Sequence, residues 1–241
     1  MERYDRQLRI PGFGPEAQAK LRSSSVMVAG LGGLGCAAAT YLAAAGVGRL
    51  VLVDHETVEL SNLNRQVLHW TEDVGKLKVR SASEKLRKLN PEVEVEEVPL
   101  RIDEGNVQSL VAKVDLVLDG LDNFKTRFLI NEACVRVLKP YIYAGVRGFE
   151  GRVMTIVPGK GPCLRCLVPS DPPEPATLPV LGAAPGIAAL IEVMEVIKLI
   201  TGMGEPLVGR LLVFDGLYMT FQEVRVEKRP DCPVCGSLEG G

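Results

Sequence analysis

Four of the six cysteines fall into two C-x-x-C pairs, Cys163/Cys166 and Cys232/Cys235, with 65 residues between the pairs. Each pair supplies half of a thiolate metal site, and the chain between them is long enough to fold back and close a tetrahedral set of four sulfurs around zinc. Disulfides or a redox C-x-x-C are the competing chemistries, and two such pairs in a reducing compartment favour metal over both. Cys36 and Cys134 fall inside helical stretches and read as small buried hydrophobes.

A second chemistry stands nearer the amino terminus. Val26-Met27-Val28-Ala29 runs into Gly30-Leu31-Gly32-Gly33-Leu34-Gly35, a G-x-G-x-x-G between a strand and a helix, and the next strand ends in Asp54. Gly30, Gly32 and Gly33 let backbone N–H groups approach a phosphate at the positive end of the helix, while Asp54 is placed to accept bonds from ribose hydroxyls. A nucleotide is implied, though not which one. Ser61-Asn62-Leu63-Asn64-Arg65-Gln66 follows, Lys78 opens the next helix after Gly75, and Asp122-Asn123 with Thr126-Arg127 comes after another strand. All three segments fall at the carboxyl ends of parallel strands, the ligand-binding edge of such sheets, and their polar residues suit phosphates rather than hydride transfer. A nicotinamide-dependent, NAD(P)-type oxidoreductase stays open as an alternative, favoured by the glycine turn with Asp54 alone.

The elements that must position these groups alternate strand and helix. Strands are expected at Val26–Ala29, Leu50–Asp54, Val93–Pro99, Val114–Leu118, Tyr141–Ala144, Val153–Val157, Arg210–Phe214 and Thr220–Val226. Helices are expected at Arg3–Ile10, Pro15–Arg22, Leu34–Ala45, Lys76–Leu89, Lys125–Leu138 and Ile187–Ile200, the last ended by Thr201-Gly202. The pattern predicts one α/β domain, a doubly wound, Rossmann-like and mostly parallel sheet with antiparallel carboxyl-terminal strands. Within it, residues 1–25 form a helical arm, 26–157 the nucleotide-binding core, and 158–241 a Pro- and Gly-rich loop, a long helix, the last strands and the cysteine-bearing tail. The loop Pro158–Pro185 is long enough to be functional.

Composition removes other classes. The 241 residues are 46% hydrophobic and 24% charged, which excludes disorder, collagen and coiled coil. Lys plus Arg number 28 against 30 Asp plus Glu, a net charge of -2, so no overall field points to nucleic acid or an anionic membrane. The most apolar stretch, Val180 to Ile200, is interrupted by Pro185, Glu192, Glu195 and Lys198 and reads as a buried helix rather than a membrane span. The charged start Met1-Glu2-Arg3-Tyr4-Asp5-Arg6 lends secretion no support, so a cytoplasmic protein is expected.

Taken together, these motifs resemble the adenylyltransferase family that activates ubiquitin-like proteins, of the MoeB/ThiF/HesA type, with the molybdopterin-synthase members nearest. The resemblance covers almost the whole chain. It is carried by Arg3-Tyr4-Asp5-Arg6-Gln7, by Gly30 to Gly35, by Ser61 to Gln66, by Lys78, by Asp122 to Arg127, and by the two cysteine pairs in that order. It implies that ATP reacts with the C-terminal glycine carboxylate of a small ubiquitin-like sulfur carrier of the MoaD/ThiS type, giving an acyl-adenylate and pyrophosphate. Arg65 and Lys78 would then face the phosphates, Asp54 the ribose, Ser61, Asn62 and Asn123 the nucleotide, and Asp122 an Mg²⁺ ion, with structural Zn²⁺ on Cys163, Cys166, Cys232 and Cys235. Arg6 would act in trans on the nucleotide of a second subunit, which implies a homodimer.

Many relatives carry a further cysteine before the long helix. Here Pro172-Pro173-Glu174-Pro175-Ala176-Thr177-Leu178-Pro179 contains no sulfur, and Thr177 is a poor substitute without an activating base. Adenylation without a covalent enzyme intermediate is therefore expected, the loop Pro169–Pro179 acting as a lid over the carrier's tail. The chain's own Gly240-Gly241 is read as coincidence, too short a tail beyond Cys235 to reach an active site. A catalytically silent scaffold that only holds a ubiquitin-like protein is a further alternative, and so is adenylation of another carboxylate. Retention of Arg65, Lys78 and Asp122 argues against the scaffold.

Overall fold

The apolar runs of the amino-terminal half become buried strands. In the computed structural model, which describes residues 2–173 and 178–238, the strands are β1 Ser25–Ala29, β2 Arg49–Val53, β3 Glu94–Val98, β4 Leu116–Asp119, β5 Tyr141–Arg147, β6 Glu150–Ile156, β7 Arg210–Asp215 and β8 Thr220–Arg225. The helices are α1 Asp5–Leu8, α2 Gly14–Ser23, α3 Gly33–Ala45, α4 Lys78–Leu89, α5 Val107–Ala112, α6 Phe124–Arg136, α7 Leu164–Leu167 and α8 Ala183–Thr201. The sheet order is β3-β2-β1-β4-β5-β6-β7-β8, parallel from β3 to β5 and antiparallel beyond. Between β1 and β4 the connections leave in opposite directions, and that divergence opens a crevice at the carboxyl ends of the strands.

Alternation along the strands splits the interior into two cores. Val26 and Val28 of β1, with Leu50 and Leu52 of β2, pack under α2, α3, α4 and α8. Met27 and Ala29, with Val51 and Val53, pack under α5 and α6. Helix α3 is built almost wholly of small residues, Gly33-Leu34-Gly35-Cys36-Ala37-Ala38-Ala39, which lets it lie close against α8 and the sheet. Gly46 ends it in the left-handed conformation, as Gly202 ends α8.

The structure departs from the sequence expectations at element ends and in one crossover. The expected helix Arg3–Ile10 shortens to α1, preceded by a 3-10 turn at Glu2–Tyr4, where Tyr4 is buried against Gly46 and accepts a bond from Asn90 Nδ2 at 2.9 Å. Helix α8 begins at Ala183 instead of Ile187, since Pro185 falls in its first turn, where a missing N–H removes no helical bond. Helix α5 was not expected. It is six residues long and carries β3 over to the far side of β1, turning Val107, Leu110 and Val111 into the core. Among the described residues no helix is long and apolar enough to cross a membrane.

Two buried polar knots close the fold. Arg127 of α6 donates from Nε to Asp119 Oδ2 at 2.8 Å and from Nη2 to the carbonyls of Leu121 and Ala144 at 2.6 and 2.7 Å. Asp119 also accepts the Tyr141 hydroxyl at 2.7 Å and the Leu121 N–H at 2.9 Å, so one ion pair fastens the ends of β4 and β5 to the start of α6. On α8, Glu195 accepts the Thr155 hydroxyl and the Leu207 N–H and pairs with Lys198. Its neighbour Glu192 is fully buried with neither oxygen hydrogen-bonded among the described residues, and burial pushes its carboxyl well above the usual range. That burial favours the neutral acid over the carboxylate. Arg127→Leu strands the Asp119 carboxylate and is expected to cost about 3 to 5 kcal/mol. Urea unfolding measures this, and a loss under about 1 kcal/mol would contradict the role given to the knot.

Candidate active site at the carboxyl edge of the sheet

The glycine turn is shaped by crowding as much as by a ligand. Gly30 has φ +93°, and a Cβ there would stand 2.7 Å from the carbonyl oxygen of Gly120. A Cβ on Gly35 would stand 1.9 Å from the Gly30 oxygen. Glycine is therefore required before any phosphate is considered. Helix α3 then starts at Gly33 with Gly32 as its cap residue and no side-chain cap, so its first N–H groups face the crevice without an intrahelical acceptor.

Asp54 holds the turn in place. Its Oδ2 accepts the Leu31 N–H at 2.7 Å and its Oδ1 the Glu56 N–H at 2.8 Å. Burial pushes its carboxyl up, and these backbone donors act in the opposite direction. Asp54 is thus a strut between β2 and the turn as well as the acid expected to meet a ribose.

The Arg65 segment crosses in front of the α3 terminus. A Cβ on Gly33 would meet Pro185 Cγ at 2.9 Å and Arg65 Cγ at 3.5 Å, and one on Gly182 would meet the Asn64 oxygen at 2.3 Å. The starts of α3 and α8 and the stem of Arg65 therefore converge. Arg65 Nη1 donates to the Ser61 carbonyl and to Asn64 Oδ1, both at 2.9 Å, and has no carboxylate partner among the described residues. Its charge is oriented but not neutralised. Asn62 is buried and accepts the Glu59 N–H through Oδ1 at 3.0 Å, which shapes its own turn; Ser61 is exposed and donates to Glu59 at 3.2 Å.

Lys78, the first residue of α4, is buried, and its Nζ donates to Glu56 Oε2 at 2.6 Å. Glu56 was not singled out in the sequence. It stands two residues beyond Asp54 with a half-exposed side chain and pairs with the Lys78 ammonium. Asp122 is exposed just beyond Gly120 and accepts from Asn123 Nδ2 at 3.2 Å, while Asn123 Oδ1 caps α6 by accepting the Thr126 N–H at 2.9 Å. Gly30, Gly32, Gly33, Asp54, Ser61, Asn62, Arg65, Lys78, Asp122 and Asn123 thus share one sheet edge. Arg6 does not join them: it is exposed on α1, and no partner is found for it among the described residues.

The four cysteines gather on the opposite face of the sheet, in the core under α6. All four are buried and unbridged, and their Sγ atoms lie within 4.8 Å of one another. Cys163 and Cys232 are 3.7 Å apart and Cys166 and Cys235 3.4 Å. A tetrahedral zinc with bonds of about 2.3 Å has sulfur–sulfur edges of about 3.8 Å, whereas a disulfide needs about 2.05 Å. The donor set fits zinc and not a bridge. The Arg229 N–H donates to Cys166 Sγ at 3.4 Å, as a backbone amide does to a metal-bound thiolate.

Fold and edge together define a protein of the doubly wound α/β class whose sheet edge gathers an uncapped helix start with Arg65 and Lys78. The chain belongs to the ThiF family, whose model matches residues 4–234. It is 48% identical to the SAMP-activating enzyme E1 of Haloferax volcanii, covering 100% of this chain and 90% of that protein. It is 42% identical to the sulfur carrier protein adenylyltransferase of Thermus thermophilus, covering 98% and 91%. The crystal structure of E. coli MccB with ATP superposes with a TM-score of 0.84 at 30% identity over 98% of this chain and 75% of that one. The chain is an adenylyltransferase, and the oxidoreductase alternative falls. Thr177 and Gly240-Gly241 lie outside the described residues, as does part of the expected lid.

A closed four-sulfur site contributes folding free energy directly. Cys163→Ser or Cys232→Ser is expected to release the metal and lower the melting temperature. Elemental analysis of the purified wild type should give one zinc per chain, and a value well below one would refute the site.

Proposed function

We propose that this adenylyltransferase activates the C-terminal glycine of a small ubiquitin-like sulfur carrier, using ATP and Mg²⁺, and releases the acyl-adenylate without a thioester step. The observation that carries this reading is the convergence of the uncapped α3 terminus with the Arg65 stem, beside the Leu31–Asp54–Glu56–Lys78 chain of contacts, on the edge that also carries Asp122. A terminal carboxylate has a pKa of about 3.5 and arrives ionised, so no general base is needed. One carboxylate oxygen bonds to the α-phosphorus as the bond to the bridging oxygen breaks and pyrophosphate leaves. Arg65, Lys78 and the α3 amides offset the charge that accumulates on the leaving group. Lys78 exchanges Glu56 for phosphate. Asp122 would hold Mg²⁺, whose charge would offset that of the pyrophosphate oxygens.

The placement of Arg6 supports its acting in trans. The arm is fastened to the far end of α3, where Gln7 Nε2 donates to the Ala45 carbonyl at 2.9 Å. At 1.5 Å per residue that end lies roughly 18 Å from the Gly33 terminus, too far for an arginine to reach its own nucleotide. Around the cradle Leu60, Val67 and Trp70 are more than half exposed, and Ile10 beside the arm is half exposed, an apolar surface that a homodimer would cover. For the carrier's body, β8 is the last strand of the sheet among the described residues and is exposed along its length, with Phe221 on it and Leu217, Tyr218 and Met219 in the turn before it uncovered. A β-rich partner can extend such an edge. In this reading residues 1–241 act as one adenylation unit.

The direct hand-over rests on the cysteines. Outside the zinc set only Cys36 and Cys134 remain; both are buried, and burial pushes Cys36 up to about 12 and Cys134 higher still. Neither offers a thiolate near neutral pH. Two experiments follow. In ATP–pyrophosphate exchange with a Gly-Gly-tailed carrier, Asp122→Ala is expected to lower the rate at least 100-fold with an unchanged melting temperature; activity near wild type would remove Asp122 from the mechanism, and an inactive wild type would favour the silent scaffold. In non-reducing mass spectrometry after incubation with ATP and carrier, no thiol-sensitive enzyme–carrier adduct is expected. An adduct that disappears in Cys36→Ala or Cys134→Ala would overturn the adenylation-only reading.

A further inference from the structure

The cradle is assembled from three separate pieces of chain: the Gly30–Gly33 turn, the segment that carries Arg65, and the start of α4 that carries Lys78. Their phosphate-facing groups must hold one geometry before a nucleotide arrives. His69 is the buried side chain that touches all three. It follows Arg65 by four residues, and its own N–H donates to the Gln66 carbonyl at 2.9 Å. Its Nε2 lies 3.2 Å from the Leu31 carbonyl oxygen, and its Nδ1 lies 2.9 Å from Ser81 Oγ, three residues after Lys78.

Proton bookkeeping gives the network one direction. Lys85 Nζ can only donate, and it does so to Ser81 Oγ at 3.0 Å while pairing with Asp73. The Leu31 carbonyl can only accept, so the ring proton sits on Nε2, and Nδ1 of the neutral ring accepts the Ser81 hydroxyl. Burial pushes His69 down to about 4, and Lys78 and Lys85 oppose its charge, so the ring is neutral near pH 7 and holds that tautomer. The Cys36 thiol donates to the same carbonyl at 3.2 Å. The Leu31 peptide is thus gripped on both sides: Asp54 takes its N–H and His69 supplies a donor to its C=O.

We propose that His69 is a positioning residue for nucleotide binding, a neutral Nε2–H donor that sets the glycine turn, Arg65 and Lys78 in register. It touches neither substrate and carries no proton in the reaction. The proposal rests on the nucleotide lying at this edge, and the experiment separates the two. Isothermal titration of ATP–Mg²⁺ and the KM values for ATP and for carrier in pyrophosphate exchange are compared in wild type, His69→Gln, His69→Leu and Ser81→Ala. Glutamine can place an amide N–H where Nε2–H stands, and leucine cannot.

The Kd and KM for ATP are expected to rise about tenfold or more in His69→Leu, about threefold in Ser81→Ala, and less than threefold in His69→Gln, with the KM for carrier unchanged throughout. A purely structural role would lower the melting temperature of the Leu variant and leave the ATP constants of its folded fraction alone. That result, or a Gln variant as impaired as Leu, overturns the proposal. If His69→Leu does not fold, Ser81→Ala decides, since it removes only the hydroxyl that fixes the ring; wild-type ATP constants there also overturn it. A wild type that binds no ATP would instead refute the nucleotide reading itself.

Discussion

The ends of the two central strands meet backbone to backbone at Gly30 and Gly120. A Cβ on Gly120 would stand 2.2 Å from the Gly30 oxygen, and one on Gly30 would stand 2.7 Å from the Gly120 oxygen. These are the residues that leave β1 and β4, the two central strands, at the point where the connections part. Because neither has a side chain, the strand ends can touch and then diverge, and the gap above them becomes the crevice. Everything chemical is placed relative to that contact. The α3 amides come one residue after Gly32, and Asp122 comes two residues after Gly120.

The two faces of the sheet then carry different burdens. One face holds α3, α4 and α8, whose starts form the cradle with the segment around Arg65. It is stiffened by neutral or locally paired groups: Asp54 on backbone amides, His69 on a carbonyl, Lys78 on Glu56. The other face holds α5, α6 and the four cysteines, and there the Asp119–Arg127 pair and the sulfur cluster fasten strand ends and tail. A charge buried with its partner is a rigid strut that is difficult to remove singly. Such a strut, Asp119–Arg127, fastens the end of β4 next to the site, and the cations that exchange partners in the proposed reaction lie at the open edge.

Much of this was legible in the sequence, because it depends on short-range pattern. The strand–glycine–helix turn, Asp54 at the end of the next strand and the apolar strands buried on both faces follow from periodicity and from turn chemistry, and all appear as expected. The cysteine spacing was enough to anticipate the sulfur cluster. What could not be read depends on contacts across long separations. Nothing near Glu56 marks it as the partner of Lys78, 22 residues on, and nothing near His69 points to Leu31, 38 residues back. Helix α5 was missed because six residues barely complete a hydrophobic stripe, and the start of α8 because a proline reads as an end unless the first turn can accept it. Glu192 misleads in the other direction: in the sequence it interrupts an apolar helix, and in the fold it is as buried as its neighbours.

The site's thrift in titratable groups follows from the reaction proposed for it. A nucleophile that is ionised on arrival needs no base, and a leaving pyrophosphate needs cations more than an acid. Only two histidines are present, and the buried one, His69, is kept neutral with both ring nitrogens committed to holding backbone and hydroxyl. The acids beside the cradle are likewise occupied, Asp54 by amides and Glu56 by Lys78. Among the described residues Arg65 has no carboxylate partner, and Asp122 is exposed with the Asn123 amide beside it. An arginine and a carboxylate left without ionic partners among the described residues on one sheet edge are poorly suited to moving protons. They are well suited to a polyanion that brings a divalent metal with it.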